Sequence, residues 1–471
     1  MTTPLTRRLA VFALANFALG SVVLIVGLSV PWTETVLMPP VRFFQGRQAA
    51  DSWTPMKAAL EYSVASPAPP VALYQKMFFG AGARRKGFQY PPTALIPVYL
   101  IRLVAGAAWY RALEALTWLF VPVTAWLVLL IYERSLERGG SPWAREPSGG
   151  GRLMRAALVV FLTLTFYPAM RAYANGQVQT WINALFAGAL WCWLREDKAA
   201  AGVMAAAMCL IKPQYALLAV WGVLRRQWGF VRAWAITAGA GLAASIALFG
   251  LAPHLEYFRV LRFISRRGES FFPNQSVNGL LHRLFFNGEN VTWDGVAWME
   301  HFPPFHRWVY LGTLLSSAAL IAVALWRGGR GKERATAADL CIMALTSTMA
   351  SPIAWEHHYG ILLPTFAFLL PAMLARQPLG RMSVPFLAAS YCLSSNSFWV
   401  TKRLADTWLN ALQSYLFFSG LMVLASLYAL QWRAASRPVR RADRLDPPRP
   451  EPAAATPRRV RTLRLRWAAR R

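Results

Sequence analysis

PPTALIPVYLIRLVAG, residues 91–106, decides how this chain is laid into its surroundings. The stretch is apolar enough to be counted as a membrane crossing, but it opens on two prolines, has another at Pro97 and carries Arg102. If it spans, the loop ERSLERGGSPWAREPSGGGRLMR and the arginine-rich C-terminal tail both fall outside, against the excess of Lys and Arg that marks cytoplasmic loops. If it lies in the interface, or dips in and returns, the basic loops RSLERGG…GRLMR, REDK, RRQW, WRGGRGKER and ARQPLGR join the tail on the inside. One assumption puts every short basic loop on one side. Residues 91–106 therefore read as a non-spanning helix within a long first external loop.

The rest of the composition agrees with a membrane setting. Of 471 residues, 56% are hydrophobic and 15% charged, whereas soluble domains carry about 25% charged residues. The apolar residues come in runs, and runs of about 20 read as transmembrane helices. The pattern predicts twelve spans: 9–31, 110–132, 154–172, 178–195, 199–211, 214–224, 229–251, 307–327, 338–350, 358–375, 382–400 and 409–431. Several are short, which calls for a thinned bilayer or a broken helix. The fold class is all-α, a polytopic helical membrane protein with both termini inside and long external loops near 32–109 and 252–306. The run after Arg7 and Arg8 resembles a signal peptide but is too long and lacks a small-residue cleavage site, so it reads as the first span.

The net charge of +29 suggests nucleic acid, but its location favours lipid. The chain divides into a membrane body, 1–432, and a basic tail, 433–471, rich in arginine, proline and alanine. Such a tail cannot bury enough apolar surface to fold alone, and beside a membrane it suits anionic lipids on the cytoplasmic face. Cys192, Cys209, Cys341 and Cys392 each lie in an apolar run and share no ligand or disulfide spacing.

With this topology the unusual polar residues gather on the external side. Asp51 stands just before a predicted helix with Thr54 as N-cap and Pro55 at its first position. Met56, Ala59, Leu60 and Ser63 form one stripe, suiting a helix on the membrane. Asp51 is equally readable as a local cap. FQYPP (88–92) follows the cluster Arg84, Arg85, Lys86, which suits a lipid phosphate or a plain interfacial anchor. ANGQVQ (174–179) reads as an Asn–Gly turn into a helix; Gln177 and Gln179 would point nearly opposite ways. Lys212, flanked by apolar residues, is either functional or snorkelling. NQSVNGLLHR (274–283) enters an interfacial helix. In SPIAWEHHYG (351–360), Glu356, His357 and His358 lack the i, i+4 spacing of a helical zinc pair, and no paired-acid motif accompanies them. Phosphate or sugar hydroxyls fit those histidines better than a metal.

In this order, Asp51, FQYPP, GQV, IKP, NQS…G…R and SPIAWEHHY resemble glycosyltransferase family 87, integral membrane enzymes of the GT-C class. The resemblance runs from about Asp51 to about Pro364. It implies an inverting transfer of a sugar, mannose being the commoner one in the family, from a polyprenyl-phosphate donor to a lipid- or glycan-linked acceptor on the outer face of the cell membrane. It implies no cofactor and no metal. Asp51 becomes the general base. His357, His358 and Lys212, with Arg84 or Arg85 as weaker choices, become the phosphate partners; Gln177, Asn274, Gln275 and Tyr90 bind substrate. Two positions depart from the family pattern: Gln179 replaces an asparagine, and Ser52 separates Asp51 from the aromatic Trp53. A transporter or lipid-linked-sugar flippase is the alternative, although no internal repeat is visible and the polar groups cluster at one face rather than mid-membrane.

Overall fold

The computed structural model describes residues 4–65, 71–80, 87–138, 149–292, 299, 302–327, 335–374 and 383–435. Arg84, Arg85 and almost all of the basic tail lie outside the described residues. Among the described residues the chain is helical throughout, with no strand beyond one isolated bridge between Asn274 and Trp355. The twelve anticipated spans all fall on helical segments, but 154–172 is divided between two helices and 382–400 runs past the end of Ser383–Ser395. Among the described residues six helices are long and apolar enough to cross a membrane, and a bent pair makes a seventh candidate. Lys198–Ile211, Pro213–Leu224 and Ala337–Met349 are apolar but shorter.

The helix Leu95–Ala105 ends at Gly106, whose φ of +53° no ordinary residue holds without strain. A short 3-10 turn leads into Trp109–Arg138. Gly106 thus separates the proline-led segment from the long helix that follows.

Helices Gln179–Leu194 and Ala337–Met349 are buried nearly all round and form the centre of the body. Trp228–Phe249 and Arg307–Arg327 expose apolar side chains such as Ile236, Leu314 and Leu315 outward, as lipid-facing helices do. Arg225 and Asp339 make a buried ion pair at 2.8 Å, and Arg225 also donates to the carbonyls of Ala324 and Leu325, tying three helix ends together. Burial of both partners makes either one costly to remove alone.

One bend positions the site. Gly149–Thr165 and Tyr167–Ala174 meet at 61° around Phe166. Pro168 cannot donate a backbone N–H, so a new helix starts there instead of the old one continuing. The short helix Tyr167–Ala174 is thereby turned against Met38–Phe44 and Glu356–Ile361.

The helix after Asp51 runs Trp53–Ala65, two residues earlier than the Thr54 cap predicts. Its N-terminus is set by Ser52, whose carbonyl accepts from Met56, so Thr54 falls inside the first turn. Met56, Ala59 and Leu60 are fully buried: the stripe faces protein. In the segment 252–306, Ala252–Arg267 buries Tyr257 and Val260 and exposes Leu255 and Phe258. The Glu256 carboxylate accepts from the Tyr74 and Gln75 amides at 2.9 and 2.8 Å, joining that segment to the one before Trp109.

Candidate active site

Asp51 is hung from its neighbours by backbone. The amides of Ala49, Asp51 and Ser52 donate to the carbonyls of Ala174, Asn175 and Gly176 at 2.8, 3.0 and 3.2 Å. This close approach needs the glycine of the Asn–Gly turn. Gly176 has φ +61°, and a Cβ there would stand 1.8 Å from the Ala49 carbonyl oxygen.

Ser52 locks the arrangement. Its buried hydroxyl accepts the Val178 amide at 3.0 Å, donates to Gln177 Oε1 at 2.7 Å and lies 2.7 Å from the Tyr90 hydroxyl. These contacts fix the Gln177 amide, whose Nε2 reaches Asp51 Oδ2 at 3.5 Å. The serine that departs from the family pattern therefore joins Asp51, Tyr90 and Gln177 into one unit. Trp53 is buried against Trp181, ring centroids 5.3 Å apart. Asp51 itself stays exposed on one side. Crowding on the other raises its pKa above the ordinary 3.8; the Gln177 hydrogen bond and the charges of Arg171 and Arg42 pull the other way. A carboxylate with a raised pKa is a better proton acceptor.

The second cluster is carried by SPIAWEHHY. Its backbone is clamped by NQS: Gln275 N–H donates to Ala354, Glu356 N–H to Pro273, and Ala354 N–H to Asn274 Oδ1, at 2.7, 2.9 and 3.0 Å. Asn274 Nδ2 donates to the Glu269 and Pro352 carbonyls. Gln275 Nε2 donates to Phe272 and Gln413, and its Oε1 accepts from Leu416. Both amides are wholly buried and taken up by backbone groups. Arg283 of the same motif bonds the Phe272 and Asn274 carbonyls and Ser414.

This clamp presents the 3-10 turn Glu356–Ile361. The rings of His357 and His358 stand edge to face with centroids 4.7 Å apart. Lys212 Nζ lies 2.5 Å from His358 Nε2 and donates to Gln179 Oε1 at 2.8 Å; Gln179 in turn donates to Asn183. Gln177 and Gln179 thus serve different clusters, as their spacing predicts. Glu356 accepts hydroxyls from Tyr167 and Tyr415 at 3.5 and 3.2 Å.

The helix Tyr167–Ala174 joins the two clusters, with Arg171 between them. Sequence reasoning passed over Arg171, although an arginine in an apolar bent span one turn before an Asn–Gly turn is a functional signal by itself. Its charge reaches Asp51, Glu34 and Glu356. Among the described residues no group of three His, Cys, Asp or Glu could hold a metal ion.

The model of glycosyltransferase family 87 matches residues 88–352, more than half of the chain. The chain belongs to glycosyltransferase family 87. This family 87 member is a membrane glycosyltransferase, and the matched segment holds FQYPP, GQV, IKP and NQS. Asp51 lies well before its start, and the two histidines lie just past its end. It is also similar to a polyprenol-phosphate-mannose-dependent alpha-(1-2)-phosphatidylinositol mannoside mannosyltransferase of Mycolicibacterium smegmatis, 25% identical over 327 residues, which cover 66% of this chain and 67% of the relative. No solved structure matches.

Proposed function

We propose that this glycosyltransferase moves mannose from a polyprenyl-phosphate donor to a glycolipid or glycan acceptor on the extracytoplasmic face of the cell membrane. The observation that carries the reading is the Asp51–Gln177–Ser52–Tyr90 unit: an accessible carboxylate, held by backbone, with a raised pKa and an oriented amide beside it. The similarity to a mannosyltransferase that depends on polyprenol-phosphate mannose supports the donor.

Asp51 takes the proton of the acceptor hydroxyl as that oxygen bonds to the anomeric carbon. The bond from that carbon to the phosphate oxygen breaks on the opposite face, and its electron pair leaves with the polyprenyl phosphate. The configuration inverts. A single base suffices because phosphate leaves without needing a proton, unlike the aglycone of a glycosidase. Lys212 and His358, hydrogen-bonded to each other, place N–H donors behind the departing phosphate, which is electrostatic work. Asn274 and Gln275 act as positioning residues for the histidine turn; Tyr90 acts through Gln177.

The same reading assigns residues 1–432 to the catalytic body with twelve crossings, segment 91–106 to the interface, and the tail to the cytoplasm, where it meets anionic lipid. The test is incubation of the purified protein with labelled polyprenyl-phosphate mannose and candidate lipid acceptors. A mannosylated product of inverted configuration supports the reading. Transbilayer movement of the donor without product overturns it in favour of a flippase.

A further inference from the structure

Two cations flank Glu356 without pairing with it. On the helix Tyr167–Ala174, Tyr167 and Arg171 are one turn apart, and Asn175, which caps that helix, continues the same face. Tyr167 donates to Glu356 Oε2, and the carbonyl of Asn175 accepts the amide of Asp51. Arg171 therefore sits halfway along a face that has Glu356 at one end and Asp51 at the other. On the far side of Glu356, Tyr415 donates to Oε1 and stacks edge-on against Phe398, centroids 5.2 Å apart. Lys402 follows in the same turn, its Nζ 4.6 Å from the Phe272 ring centroid and 4.9 Å from that of Trp399. Phe272 precedes Pro273, whose carbonyl holds the Glu356 amide.

Among the described residues no carboxylate comes within 4.0 Å of either cation, and Arg171 makes no side-chain hydrogen bond. Both remain partly exposed. Each acts electrostatically on the other and on Glu34 and Glu356. Glu356 is satisfied by two phenols, so the guanidinium and the ammonium lie on either side of it with their hydrogen-bond donors unused. A planar guanidinium presents paired N–H groups that match phosphate oxygens, and an ammonium adds a point charge.

We propose that Arg171 and Lys402 together bind the phosphate of the polyprenyl donor, and keep hold of it as the polyprenyl phosphate product after transfer. Glu34 and Glu356 then set the limit on how much negative charge the site accepts, favouring a monophosphate. The proposal rests on the polyprenyl-phosphate reading above. It puts the direct phosphate contact on residues outside the histidine turn, and leaves Lys212 and His358 acting from behind.

The test uses the full chain in nanodiscs of zwitterionic lipid, with a polyprenyl monophosphate titrated against intrinsic tryptophan fluorescence. Uncharged polyprenol, inorganic phosphate and phosphatidylglycerol serve as separate probes. Arg171→Gln and Lys402→Gln are each expected to weaken polyprenyl monophosphate binding roughly tenfold or more, the scale of a lost hydrogen bond to a charged group. Polyprenol binding stays unchanged, and Arg171→Lys recovers part of the loss. Phosphatidylglycerol that competes as well as the polyprenyl monophosphate overturns the donor assignment in favour of a bulk-lipid site. A parent that binds polyprenyl monophosphate while both variants bind it equally well overturns the Arg171–Lys402 site alone. A parent that binds none overturns the donor reading, and this proposal with it.

Discussion

The backbone amide of Asp51 donates to the carbonyl of Asn175 at 3.0 Å, across 124 positions of sequence in the numbering of the chain. That bond, with its two neighbours, fixes where the Asp51 carboxylate stands relative to the C-terminal end of the helix that follows the bend at Phe166. Main-chain bonds hold Asp51 in place, so its side chain is left for chemistry.

Asp51→Asn keeps the shape and the backbone bonds and removes the base. Sugar transfer should fall by roughly 10²–10⁴-fold, the range of general-base assistance, with thermal unfolding unchanged. Because burial raises the Asp51 pKa above 3.8, the acid limb of kcat/KM should fall at a pH above the ordinary aspartate value as the carboxylate protonates. An acid limb that persists in the Asn variant would assign the titration to another group.

Gly176→Ala puts a methyl group 1.8 Å from the Ala49 carbonyl at φ +61°. The expected result is a displaced Asp51 loop: activity lost by tenfold or more, and stability lowered by about 1–2 kcal/mol for a left-handed non-glycine residue. Parent-like kinetics in a folded Gly176→Ala variant would detach this close approach from catalysis.

Lys212 and His358 are one unit at 2.5 Å. Lys212→Met and His358→Ala should each raise the KM for donor more than that for acceptor, and the double variant should be little worse than either single one, since contacting residues couple. Fully additive losses would mean that the two residues act apart. Replacing both His357 and His358 by Ala should likewise weaken donor use first.

Asn274→Ala strands the Ala354 amide and frees the Glu269 and Pro352 carbonyls in a fully buried setting. Each unsatisfied buried group costs about 1–3 kcal/mol, so thermal unfolding should come markedly earlier. Asn274→Asp, which keeps the acceptor but sets a second oxygen against the Glu269 and Pro352 carbonyls in a buried site, should be at least as damaging. Equal stability of Asn274→Ala and the parent would show that the clamp does not hold the histidine turn.

Glu269 is buried under Trp355, whose indole donates to its Oε2 at 2.9 Å. Burial lifts its pKa from 4.5 to about 8. The folded state holds the proton more tightly than the unfolded one. The stability from this group is therefore full below pH 4.5 and is lost as pH rises towards 8. Glu269→Gln should flatten the fall in melting temperature across that window. An identical pH profile in both proteins would show that the carboxyl is not titrating there.

Much of this was legible in the residues themselves. The runs of apolar residues fixed the helices, because backbone groups in lipid have no partner but their own helix. The motif order Asp51, FQYPP, GQV, IKP, NQS, SPIAWEHHY pointed to the family. Other features were not legible. Asn274 and Gln275 looked like substrate ligands because buried amides and ligand-binding amides are the same residue type; only the partners separate them. The stripe Met56, Ala59, Leu60 is apolar whether it meets lipid or protein, so periodicity could not say which. Arg171 was hidden inside an apparent span until Pro168 bent the helix at 61°.

The sequence by itself determined a helical membrane enzyme and the chemical kinds of group available to it, because solvent partition and covalent chemistry are properties of residues. Tertiary structure alone decided which groups meet: that Ser52 ties Asp51 to Tyr90 and Gln177, that NQS holds the histidine turn, and that Arg171 stands between them. Those are contacts between positions tens to more than a hundred residues apart, and such contacts depend on how the helices pack, which no local pattern records.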